Sequence, residues 1–161
     1  MITPVYIVGL VIGMLALLGG IALIIFFMIS SYIGRRKASI RVEAARALGK
    51  MGIDSEEAIL ALEKALNDPK SNVRRESALS LGKLGSLAKI AVPSLVKALN
   101  DKNPDVRWRA SEALGFIGVN TEDVISSLNE LIHDECDYVC ESAINALDSL
   151  TEEEELSYIK E

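Results

Sequence analysis

IRVEAARALGKMG, residues 40–52, returns as VRRESALSLGKLG at 73–85 and as VRWRASEALGFIG at 106–118. The offset is 33 residues each time, with no insertion, and a decayed copy, VCESAINALDSL, begins at Val139. A fixed period of this size means stacked units, none of which buries its apolar face alone. The expected fold class is therefore all-α: a short right-handed α-solenoid of about three and a half helical hairpins.

Each copy reads as two helices, A and B. Ile40, Ala44, Ala45 and Leu48 mark one face at helical spacing. Gly49 and Gly52, repeated as Gly82 and Gly85 and as Gly115 and Gly118, are expected to end helix A and let the next helix come close. Helix B carries Ile59, Leu62 and Leu66, then Val92, Leu95 and Leu99, then Ile125, Leu128 and Ile132. Pro93 falls at a helix start, where its missing N–H costs least.

A polar pair recurs as well. Asp68 precedes Arg74 by six residues, and Asp101 precedes Arg107 by six. This is expected to form a ladder between repeats, each guanidinium satisfying a carboxylate and helix-end carbonyls. On that spacing the ladder stops at both ends. Arg41 would meet Arg35, and Asp134 would meet Cys140.

The pattern V-R-x-x-A-A-x-A-L-G-x-[ILM]-G followed by A-[VI]-x-x-L-x-x-A-L-x-D resembles the HEAT-like repeats of the phycobilisome-lyase type, from Ile40 to about Leu150. The resemblance implies an armadillo-type superhelix whose B helices line the docking face. Their outward offsets would hold Lys64 and Lys97, then Glu130, with Asn67, Asn100 and His133 nearby. The repeat type occurs in chromophore lyases, in an iron-dependent hydroxylase with paired His-Glu motifs, and in scaffolds. This chain has one histidine and no His-Glu dipeptide, which argues against the hydroxylase activity.

Upstream of the repeats, Met1 to Gly34 carries no charged side chain. Val5 to Ile29 is apolar throughout and long enough for one transmembrane helix. Tyr6 and Tyr32 sit near its ends, and Arg35, Arg36 and Lys37 follow. No basic residue precedes this block and no A-x-A cleavage pattern follows it, so it is expected to be an uncleaved anchor rather than a signal peptide. The basic flank places the repeats on the cytoplasmic side of a prokaryotic cell membrane, with the N-terminus outside. Gly9, Gly13, Ala16 and Gly20 form a small-residue stripe that suits close helix association and a homodimer. The expected organisation is an anchor at 1–34, a basic linker at 35–39, repeats at 40–68, 69–101, 102–134 and 135–150 (partial), and an acidic cap at 151–161. Thr151 and Glu154 have capping-box spacing, which predicts a separate short helix there.

Charge divides the repeat region. Arg35 to Arg109 holds 16 basic and 9 acidic residues, whereas Ala110 to Glu161 holds one basic residue, Lys160, and 14 acidic ones. The absence of a continuous basic stripe and the net charge of −6 argue against nucleic acid. Arg75, Trp108 and Arg109 lie on the outer side of helix A, a composition found at binding hot spots. His133, Cys136 and Cys140 are the one set with a metal-ligand look, but a fourth ligand is missing and the spacing straddles a turn. No phosphate loop or dinucleotide fingerprint is present, and no cofactor is expected. The functional expectation is a non-enzymatic, membrane-tethered scaffold or adaptor for a protein partner. The alternatives are an accessory, chaperone-like subunit of a lyase-type or other enzyme complex, and a structural subunit of a membrane complex.

Overall fold

The computed structural model describes residues 37–49 and 56–159, the last eight as backbone only. The apolar block Val5–Ile29, the stripe Gly9, Gly13, Ala16 and Gly20, and Arg35, Arg36 and Gly52 lie outside the described residues. The chain divides into two units, Met1–Ala38 and Ser39–Glu161, and the repeats form the second.

Every described element of that unit is helical. Residues 37–49 form α1. Then come α2 (Glu56–Ala65), α3 (Ser71–Leu84), a 3-10 segment (Gly85–Ala91), α4 (Val92–Ala98), α5 (Pro104–Ile117), α6 (Glu122–Leu131) and α7 (Asp137–Ile159). The A helices are α1, α3, α5 and α7; the B helices are α2, α4 and α6. This is a short α-solenoid, as the period requires.

The core follows the repeat register. Val73, Val106 and Val139 are fully buried at one offset, and Leu62, Leu95 and Leu128 at another. Ile40 occupies the valine offset but is 66% exposed, because no helical pair precedes it among the described residues. Ala44 is exposed and Leu48 only partly buried, so Ala45 alone of the expected α1 face is fully in the core. In the third repeat the B helix buries Val124, Leu128 and Leu131, leaving Ile125 and Ile132 half-buried. Larger side chains stand there at offsets that earlier repeats fill with alanine: Val124 for Ala58 and Ala91, Leu131 for Ala65 and Ala98.

In the second and third copies the two glycines have separate tasks. Gly82 and Gly115 lie inside α3 and α5 rather than ending them. A Cβ on Gly82 would lie 3.0 Å from the Cα of Ala113, and one on Gly115 would lie 3.1 Å from the Cα of Ala146. They let successive A helices touch. Gly85 and Gly118, with φ of 55° and 69°, follow the helix ends in conformations that L side chains rarely adopt. In α7 the first glycine offset is Asp148, which is exposed.

Three local features have plain causes. The second repeat enters its B helix through the 3-10 segment, which bends at Ala88 (φ −87°, ψ 18°) before Pro93 helps start α4. No break occurs at Thr151: α7 continues to Ile159, and the Thr151 hydroxyl donates back to the carbonyl of Asp148 at 2.9 Å instead of capping a new helix. Finally, Ser71–Ala98 is long and apolar enough to resemble a membrane span, but 44% of its most apolar window is buried within the repeats and the 3-10 bend interrupts it.

Candidate interaction surfaces

An arginine–aspartate ladder runs through the repeats. Arg74 Nε and Nη2 donate to the two carboxylate oxygens of Asp101 at 2.6 and 2.7 Å, and Nη1 donates to the carbonyl of Asp68 at 2.8 Å. Arg107 repeats this on Asp134 at 2.7 and 2.8 Å and on the carbonyl of Asp101 at 2.8 Å. Arg41 pairs the same way with Asp68 at 2.6 and 3.1 Å. The carboxylate thus comes from 27 residues downstream, and the Asp six residues upstream gives only its carbonyl. This corrects the expected pairing. Each Asp carboxylate already serves the arginine of its own repeat and also accepts the backbone N–H two residues on, from Lys70, Asn103 or Cys136.

The ends of the ladder change accordingly. Arg41 and Asp134 are members, not termini, and Cys140 stands at the arginine offset of the last repeat. Its thiol donates to the carbonyl of Asp134 at 3.1 Å, the contact that Arg107 makes one repeat earlier. Arg107 holds the Asp134 carboxyl below the usual range, against burial. For Asp68 and Asp101 burial pushes upward, but the bonds from Arg41 and Arg74 and from the backbone outweigh it and the net direction is down.

On the B-helix side two open grooves recur at the repeat offset. One, of about 380 Å³, is lined by Asn67, Ser94, Lys97 and Asn100 among others. The next, of about 360 Å³, is lined by Asn100, Ser127, Glu130 and Asp134 among others. Lys64 and Lys97 are both exposed, Lys97 within the first groove. The Ser94 hydroxyl bonds to Glu63 at 2.6 Å and ties α4 to α2 beside it.

On the A-helix side Arg75 is half-buried. Trp108 is also half-buried, packed against the core and edge-on to Tyr138 with ring centroids 5.7 Å apart. The Arg109 guanidinium lies 3.6 Å from the centre of the Trp108 ring and bonds Glu112 at 2.6 Å. Phe116 and Tyr138, which the sequence reading passed over, are 64% and 40% exposed beside it. Their signal was available: the third copy reads GFIG where the others read GKMG and GKLG.

The fold does not gather His133, Cys136 and Cys140 into a metal site. His133 is exposed, and Cys140 is engaged with Asp134. Among the described residues no group of three or more His, Cys, Asp or Glu is placed to hold a metal ion.

A family profile described as HEAT repeats matches residues 29–92 and 88–148. Among solved structures, the chain is similar to an engineered protein with a TM-score of 0.56 at 24% identity, over 70% of this chain and 57% of that one. It is also similar to human deoxyhypusine hydroxylase, solved in complex with glycerol, with a TM-score of 0.56 at 31% identity, over 71% of this chain and 43% of that one. The chain therefore spans about half the length of these structures. No curated protein matches it in sequence.

Proposed function

Because this chain belongs to the HEAT-repeat family, we propose that it is a non-enzymatic adaptor, tethered to the cell membrane, that holds a protein partner on its cytoplasmic repeats. The observation that carries this reading is the polar groove recurring on the B-helix side, first around Lys97 and Asn100, then around Glu130. Amide, hydroxyl and charged groups at a fixed repeat suit a protein segment laid across several repeats.

The tether rests on the uncharged stretch Met1–Gly34 and the basic flank Arg35, Arg36 and Lys37. That flank would also attract an anionic leaflet, by roughly 1 kcal/mol per charge. Within the family, the V-R-x-x-A pattern supports the phycobilisome-lyase type. The likeness to a hydroxylase does not carry its activity here, since His133 is the single histidine and Asp134, not glutamate, follows it.

The test is affinity capture of the crosslinked full-length chain from its own host membranes. One stoichiometric protein partner, recovered severalfold less with Lys64→Glu and Lys97→Glu together, is the expected result. Recovery unchanged by that pair would remove the B-helix side from the account.

A further inference from the structure

A third groove, of about 320 Å³, runs between α5 and α7 on the A-helix side. Its floor is the close approach of Gly115 to Ala146, its walls are Trp108, Phe116 and Tyr138, and its rim carries Glu112 and Glu141. The repeat register explains why it is open. At the offsets where α5 carries Arg109, Glu112 and Phe116, α7 carries Ser142, Asn145 and Ser149. Where α5 carries large side chains, α7 carries smaller ones, and the space they would fill stays open.

The chemistry of this groove suits a cation. Aromatic faces and carboxylates both attract positive charge. The chain's own Arg109 illustrates the arrangement, stacked on Trp108 and bonded to Glu112. Arg109 does not line the groove, so Tyr138, Phe116 and Glu141 face the open space. Glu141 is exposed and forms no ion pair among the described residues. The sequence from Ala110 to Ser149, which supplies most of the groove, holds nine acidic residues and no basic one.

We propose that the α5–α7 groove docks a basic segment of a partner protein, an arginine side chain entering between Tyr138 and Phe116 against Glu141. The inference goes beyond the B-helix reading and does not require it. Charge reversal at Lys64 and Lys97 leaves this groove intact, and failure here leaves the B-helix crosslinks unaffected.

Trp108 is the only tryptophan, so its emission reports the groove without a label. The full-length chain in uncharged detergent is titrated with the peptide acetyl-Ala-Arg-Ala-Leu-Arg-Ala-amide and with its glutamate-for-arginine counterpart. The expected result is a saturable emission change with the arginine peptide alone, weakened by salt. Ser149→Phe, which writes in the residue that α5 carries at the same offset, removes the response. Glu141→Gln, a change at an exposed position, weakens it roughly threefold. Equal responses to both peptides, no response, or a response that neither variant alters would overturn the proposal. So would an emission change that grows with protein concentration without peptide and is lost in Ser149→Phe, since a second copy would then fill the groove.

Discussion

The α3–α5 and α5–α7 interfaces are built at the same offsets and differ in what fills them. Both rest on a glycine against an alanine, Gly82 on Ala113 and Gly115 on Ala146. Both stand beside a ladder rung, Arg74 on Asp101 and Arg107 on Asp134. Yet at the offsets where α5 carries Arg109, Glu112 and Phe116, α7 carries Ser142, Asn145 and Ser149. The residues that set backbone approach repeat because the helix spacing depends on them. The residues at the rim vary because only solvent or a partner meets them. On the A-helix side, a site peculiar to one interface is therefore to be sought where the copies disagree.

The largest expected effect lies in the ladder. Arg107 and Asp134 have side chains 10% and 7% exposed, whereas Arg41 is 41% exposed. Arg107→Met leaves a buried carboxylate unpaired and should cost about 3 kcal/mol. Arg41→Met should cost less, about 1 kcal/mol, because Arg41 is itself part-exposed and Asp68, although only 10% exposed, keeps the charge of Arg74 nearby. Urea unfolding of the full-length chain, followed by circular dichroism, measures both, and equal losses would erase the distinction between inner and outer rungs.

Next in size are the helix contacts. Gly82→Val and Gly115→Val should each cost about 2 kcal/mol, since the new side chain meets backbone that cannot yield cheaply. Asp148→Val at the same offset in α7 should stay within about 0.5 kcal/mol, because that position is exposed. A large loss at Asp148 on thermal melting would mean that something packs there.

The ladder also sets a pH dependence. Asp68, Asp101 and Asp134 have folded values below the ordinary carboxylate range. Their contribution is complete above the unfolded value of about 4 and is lost as pH falls through the lower folded values. The urea midpoint should therefore stay level from neutral pH to about 5 as far as these groups are concerned, and drop below about 4. Arg107→Met should make that acid drop shallower.

A smaller effect of opposite sign is expected at Ser111. Its hydroxyl is fully buried with no hydrogen-bond partner among the described residues, at an offset where earlier copies have Ala45 and Ala78. Ser111→Ala should stabilise the fold by about 1 kcal/mol, read as a raised melting temperature.

The period, the helix pairs and most buried offsets were legible in the sequence, because burial in a repeat stack recurs at one spacing. The partners of the ladder were not. Asp68 and Arg74 recur at a spacing of six, but chain separation does not reveal which neighbouring carboxylate a guanidinium reaches, and the Asp101 side chain lies closer in space. The double role of the glycines was only half legible: both were seen, but only packed helices separate the contact at Gly82 from the bend at Gly85. Thr151 and Glu154 matched a capping pattern that a continuous helix overrode. The groove at Phe116 emerges only when α5 and α7 are set side by side, although GFIG and the serines of α7 were in view. Of the proposed binding residues, the fold leaves Lys64 and Lys97 exposed and half-buries Trp108 against Tyr138.

The most direct test of the adaptor account is site-specific photo-crosslinking in native membranes, with the reactive group placed at position 97 in one full-length variant and at position 87 in another. Leu87 is an exposed side chain in the 3-10 segment that lines neither B-helix groove. The account expects a single adduct with another protein from position 97 and little or none from position 87. Adducts only between copies of this chain, or equal labelling from both positions, would contradict it.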